Sequence, residues 1–273
     1  MGHRLEEFGG SGQSVVFAHA NGFPPGSYRQ LLARLAAQCR VTAIHHRPLW
    51  GEREPPARLH WRLFADDLIE GLEARGEVPA WLLGHSLGAV VGLLAAERRP
   101  ELFRGLLLLD PVFLPTRFVA ATALTPRGRL QRLPMIRRAL ARPEAFADAE
   151  AAFAFYRGKR AFQAFDDDAL RDYVKASLEP VEEEQRLRFP AAWEAAIYGS
   201  APWVWPRLRR VELPVLGVRG ERSDTLSAPM FRRWGRLQSH AELHTIPGGH
   251  LFPMEAPHAT AELVLDFLAR QGG

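Results

Sequence analysis

Short, unbroken apolar runs alternate with longer stretches of mixed polarity through the first third of the chain. The runs at 15–18, 41–44, 80–83 and 105–109 are dominated by Val, Ile, Leu and Ala with no polar alternation, as in strands covered on both faces. Between them, 27–38, 61–75 and 87–98 carry helix-forming residues, and Pro100 closes the last because a proline inside a helix loses a hydrogen bond and clashes with the turn before it. Such alternation predicts an α/β fold, a mostly parallel sheet with helices on both faces. After Asp110 the rhythm breaks. Residues 112–208 hold no convincing parallel strand and read as helical pieces punctuated by prolines, as in "AEAAFAFYRGKRAFQAF". A stretch of that length is too long for a structureless connection inside a domain, so an inserted helical cap is expected. The sheet pattern resumes at 213–220 and 241–249 and ends in an amphipathic helix at 257–269. The chain thus divides into a first core segment, 1–111, the cap, 112–208, and a second core segment, 209–273.

Composition narrows the classes. With 273 residues, 47% of them hydrophobic, the chain can bury one large core. The net charge of +4 comes from arginines spread among carboxylates, with Lys159 and Lys175 the only lysines, so no clustered basic face and no nucleic-acid partner are expected. Cys39 stands alone, which excludes an internal disulfide framework and a multi-cysteine metal site. The opening "MGHRLEEFGGSGQS" lacks the apolar centre of a signal peptide, and no run has the length of a membrane span; a cytoplasmic location is expected.

The sharpest chemical signal is "AWLLGHSLGAVVGLLAAE", a G-x-S-x-G pattern with a strand before it and a helix after it. So tight a turn requires Gly84 and Gly88 and exposes Ser86 at the helix N-terminus, where the Leu87 amide can donate to a developing oxyanion. A serine hydroxyl needs a base. His250, in "IPGGHLFPMEAP", follows the last strand and two glycines and is the best candidate. His85 reads as packed away from the nucleophile. The base in turn needs a carboxylate. Asp224, in "VRGERSDTLS", fits the chain order serine, acid, histidine and is favoured; its rival is Asp110, in "LLLLDP", which with Pro111 can equally serve to turn the chain into the insertion. Asp66 and Asp67 read as solvated helix surface. The cramped loop "FAHANGFPPGSY" follows the first apolar run; Gly22 permits its backbone angles, His19 braces it, and the amide of Asn21 is the expected second oxyanion donor.

Together, "HANGFP", "GHSLG", "GERSD" and "GGHLFPMEAP" resemble the α/β-hydrolase fold superfamily, in its serine-hydrolase branch with a helical lid. The resemblance spans residues 14–269 in the expected order and implies Ser86 as nucleophile, Asp224 as acid, His250 as base, and the Asn21 and Leu87 amides as oxyanion donors. Few residues precede Val15, so seven or fewer strands are expected. A serine nucleophile points to acyl transfer, with a carboxylic ester as the leading substrate and thioester, lactone, amide or carbon–carbon cleavage as alternatives. A non-catalytic ligand-binding member of the fold is the other alternative. The aromatics of the cap, among them Phe162, Phe165, Trp193 and Trp205, suggest a small, uncharged or weakly polar acyl substrate. The triad requires no cofactor and no metal.

Overall fold

In the computed structural model, which describes residues 5–271, the apolar runs become the strands of one sheet; the outermost ends of the two core segments, 1–4 and 272–273, lie outside the described residues. β1 (Leu5–Gly9) and β2 (Gln13–Ala18) are followed by α1 (Arg29–Ala36), β3 (Cys39–Ile44), α2 (Arg62–Arg75), β4 (Ala80–His85), α3 (Leu87–Arg98) and β5 (Phe103–Leu109). The insertion contributes α4 (Thr116–Leu124), α5 (Arg127–Leu130), α6 (Pro134–Leu140), β6 (Ala145–Phe146), α7 (Ala149–Arg157) and α8 (Asp167–Ser177). It continues with β7 (Leu178–Val181), β8 (Glu184–Leu187), α9 (Ala191–Tyr198) and α10 (Trp205–Leu208). The core is completed by β9 (Val215–Gly220), α11 (Ala228–Leu237), β10 (Glu242–Ile246), α12 (Phe252–Glu255) and α13 (Pro257–Gln271).

Among the described residues the central sheet has seven strands, in the order β1-β3-β2-β4-β5-β9-β10. Every pairing is parallel except that of β1 with β3. The α/β expectation and the limit of seven strands both hold. Edge strand β1 has no apolar run to announce it, because "LEEFG" is half exposed. By contrast, β4 is buried throughout and β5 at all but Arg104, the condition under which strand sequences become continuously apolar. α3 is buried from Leu87 to Ala96, since it lies on the sheet and is covered by α2 and α10; its apolar surface therefore extends all round rather than forming a stripe. Asp67 is no solvated surface residue: it is buried in α2 and holds the Arg47 guanidinium through two bonds of 2.7 and 2.8 Å.

Between β5 and β9 the insertion is mostly helical, with one departure from the expectation. β6, β8 and β7 form a small antiparallel sheet. Its hairpin turns at Glu182 and Glu183, with Glu182 in the left-handed region at φ 53°; strands this short and polar carry no apolar signature. Many of the cap aromatics are buried. Phe162 and Phe165 pack with Tyr156 and Tyr173 in one core, and Trp193 and Trp205 join the core on the other face of the sheet. Among the described residues, no helix is long and apolar enough to cross a membrane.

Candidate active site

β4 ends at His85 and α3 begins at Leu87, so Ser86 alone makes the strand-to-helix turn, at φ 55° and ψ −111°. This left-handed backbone is costly for a residue with a side chain and persists only where the surroundings hold it. They do: the Ser86 amide donates to the Leu109 carbonyl at 3.0 Å. The two motif glycines allow the close approach. A Cβ at Gly84 would lie 2.6 Å from the Ala89 amide nitrogen, and one at Gly88 would lie 1.9 Å from the Ala18 carbonyl oxygen. The result aims Ser86 Oγ at His250 Nε2, 2.9 Å away.

His250 is carried by the loop between β10 and α12. Gly249 donates its amide to Glu255 at 2.8 Å, which closes that loop on itself. The other ring nitrogen, Nδ1, lies 2.6 Å from Oδ2 of Asp110. The preferred acid of the sequence reading is thereby corrected: Asp110, the rival, faces the histidine. Asp224 is exposed, and among the described residues its carboxylate accepts only from the neighbouring Thr225 hydroxyl, at 3.4 Å. The reason is register. β4 and β5 are neighbours with His85 opposite Leu109, so the next residues, Ser86 and Asp110, leave the sheet side by side. Beyond β9 the chain turns instead so that Ser223, one residue before Asp224, points inward. Its hydroxyl donates to Asp110 Oδ2, and the Gly220 amide donates to Oδ1 at 2.9 Å. Asp110 is fully buried and sits at φ 42°, so two of the three non-glycine residues with positive φ among those described face His250. Ser223 escaped the sequence reading because the adjacent aspartate drew the assignment.

The "HANGFP" loop leaves β2 as expected. Gly22 stands at φ 78°, which a side chain resists, and the loop closes through a bond from the Phe23 amide to the Ala20 carbonyl at 3.2 Å. Leu87 opens α3, where the first amides have no acceptor within the helix. His19 hydrogen-bonds to this loop and to the start of the segment after β3. Its Nδ1 donates to the Ala20 carbonyl at 2.8 Å and its Nε2 accepts the His46 amide at 3.2 Å. Above this loop lies α9. The Asn21 side chain donates to the Glu194 carbonyl at 3.1 Å, and the Glu194 carboxylate, ion-paired to Arg142 at 2.9 Å, occupies the space beside Gly22. Burial pushes the Glu194 carboxyl above its usual range against the pull of Arg142. Among the described residues, no cluster of three or more His, Cys, Asp or Glu side chains could hold a metal ion.

The buried histidines are expected to make the fold acid-sensitive. Burial, reinforced by His46, holds His19 well below its ordinary pKa; burial and the adjacent His250 do the same to His85; burial pushes His46 down from 6.5 to about 3. The unfolded chain therefore binds more protons than the folded one below pH 6.5, and stability falls with decreasing pH through the window from 6.5 to about 3 for His46. Each histidine contributes at most about 1.4 kcal/mol per pH unit. Tm is expected to drop between about pH 7 and about pH 4.5, with a shallower drop in His46→Gln. Parallel Tm curves for the two proteins would contradict this account.

Comparison with known proteins agrees with this architecture. A 2-(acetamidomethylene)succinate hydrolase of Mesorhizobium japonicum is 27% identical over 262 residues, covering 95% of this chain and 89% of that protein. The crystal structure of an E-2-(acetamidomethylene)succinate hydrolase superposes with a TM-score of 0.82 at 26% identity, over 97% of this chain and 94% of its own. A monoglyceride lipase of Rattus norvegicus is 29% identical, but over only 41% of this chain and 40% of the lipase. The model of the alpha/beta hydrolase family matches residues 15–263, nearly the whole described chain, and the protein belongs to that family, as one of its serine hydrolases.

Proposed function

We propose that the protein hydrolyses a small carboxylic acyl compound, an ester in the leading reading, through an acyl-enzyme on Ser86. The observation that carries this is the unbroken chain from Ser86 Oγ to His250 Nε2 at 2.9 Å and from His250 Nδ1 to Asp110 Oδ2 at 2.6 Å. His250 takes the Ser86 proton as Oγ attacks the carbonyl carbon, while Asp110 fixes the tautomer and stabilises the imidazolium. The amides of Asn21 and Leu87 hold the tetrahedral oxyanion. Its collapse breaks the acyl bond as His250 returns the proton to the leaving group. Water, deprotonated by the same imidazole, then attacks the acyl-Ser86 carbonyl; collapse of this second intermediate breaks the bond to Oγ, which takes the proton back from His250, and releases the acid.

A second reading, cleavage of an amide in a small polar acid, is favoured by two observations. The relative matched over nearly its full length acts on 2-(acetamidomethylene)succinate, whereas the lipase match covers less than half of that protein. Within the cap, the side chains nearest Gly22 are the charged pair Arg142 and Glu194, which suits a polar ligand better than a long acyl chain. Rates on p-nitrophenyl acetate, butyrate and palmitate, with N-acetyl enamides of succinate in parallel, separate these readings. The short esters or the enamides are expected to turn over and the palmitate to react at least about tenfold more slowly. Preference for palmitate would reject the small-substrate reading; inertness toward all of them, with no phosphonate labelling of Ser86, would reject the hydrolase itself.

A further inference from the structure

Behind the nucleophile, three buried groups form a chain that the triad does not use. The Ala20 amide, one residue before Asn21, reaches the Tyr28 hydroxyl at 3.3 Å; that hydroxyl lies 2.7 Å from His85 Nδ1; and His85 Nε2 lies 2.9 Å from the backbone carbonyl of His250. The direction of every bond is fixed by chemistry. The His250 carbonyl can only accept, so Nε2 of His85 carries the proton and Nδ1, on a ring kept neutral by burial and by the neighbouring His250, must accept. Tyr28, whose burial raises its pKa far beyond titration, keeps its proton and donates it to His85, leaving its oxygen to accept from Ala20. All donors therefore point one way, from the loop that holds one oxyanion donor to the peptide that carries the base, an arrangement in which each bond polarises the next.

We propose that Tyr28 and His85 are positioning residues for acyl transfer, tying the oxyanion loop to the His250 backbone so that the Asn21 amide and the His250 ring keep their places about Ser86. The inference rests on the acyl-transfer reading above. Both side chains are buried, and the rings of His85 and His250 are 5.0 Å apart, so the relay adjoins the site without entering it. Tyr28 is also packed edge-on against Phe17, with centroids 4.6 Å apart, a contact that Tyr28→Phe preserves while cutting the chain. His85→Gln keeps an acceptor for Tyr28 and a donor for His250; His85→Met, of similar size, keeps no donor and offers only a weak thioether acceptor.

The test measures steady-state kinetics on p-nitrophenyl butyrate, the rate of Ser86 labelling by a fluorophosphonate, and Tm for the wild type and these variants. Tyr28→Phe is expected to lower kcat about tenfold with KM changed less than about twofold, and to slow labelling by the same factor. His85→Gln should stay within about threefold of wild type and His85→Met fall about tenfold; adding Tyr28→Phe to His85→Met should cost less than a further twofold or so, because the chain is already cut. A Tyr28→Phe protein that labels at the wild-type rate and loses only Tm would overturn the relay, as would equal activity of His85→Gln and His85→Met. The His85 pair decides the matter if Tyr28→Phe does not fold. Failure of the wild type itself to label would remove the acyl-transfer reading, an outcome distinct from a labelled wild type with indifferent variants.

Discussion

Ser86→Ala is expected to abolish ester turnover, with a loss in kcat approaching about a millionfold, the scale seen when a comparable triad loses its nucleophile. The size of the effect follows from the role: without Oγ there is no acyl-enzyme, and His250 has no hydroxyl to activate. The proposed oxyanion donors, the amides of Asn21 and Leu87, survive the substitution and can polarise a bound carbonyl for direct attack by water, which accounts for a small residual rate. The fold should be unaffected. The turn at Ser86 is held by its backbone bond to Leu109 and by the close packing at Gly84 and Gly88, none of which uses the hydroxyl. Alanine meets the same backbone strain as serine at φ 55°, so Tm should move by no more than a few degrees. Retention of more than a few per cent of activity in a protein of unchanged Tm would place the nucleophile elsewhere.

The parts of this site that were legible in the sequence are those whose geometry is set locally. "GHSLG" specifies a turn, because the two glycines, the strand before and the helix after are adjacent in the chain and admit few arrangements. "GGH" likewise places a histidine just beyond a strand end. The acid depended on which strands lie side by side, and sequence alone does not give that register: Asp110 faces His250 because β5 pairs with β4, a contact between segments joined by the whole of α3. Tyr28 and Ser223 were illegible for a related reason. Each acts through one hydroxyl aimed across the fold, at His85 and Asp110 respectively, and nothing in "PGSYRQ" or "GERSDT" marks such a bond. The cap aromatics carry two signals at once. They suggested a pocket lining, and Phe162, Phe165, Trp193 and Trp205 are buried in the two cores that flank the central sheet, where they join the cap to the α/β core.

A parallel comparison of Asp110→Asn and Asp224→Asn bears directly on the corrected acid. Asp110→Asn is expected to lower kcat about ten-thousandfold, as loss of the acid's charge does in other triads, while Asp224→Asn stays within about threefold of wild type. The asymmetry has a specific origin. A carboxylate at 110 can only accept, which forces the His250 proton onto Nδ1 and leaves Nε2 free to take the Ser86 proton. The amide of Asn can instead donate to Nδ1, which moves the proton to Nε2 and blocks the base. Asp110 also receives the Gly220 amide and the Ser223 hydroxyl, so Asn there can leave one of these buried donors unpaired at a cost of about 1–3 kcal/mol. Rates must therefore be normalised to folded protein, and Ser223→Ala serves as the control: it removes one bond to the carboxylate but keeps its charge, and should lower kcat by about tenfold only. At 224 the side chain is exposed and its carboxylate accepts from Thr225, not from His250, so neutralising it removes nothing that His250 uses. If Asp224→Asn proved the more damaging while both variants remained folded, the loop beyond β9 would have to close over His250 during turnover, and the assignment of Asp110 would be wrong.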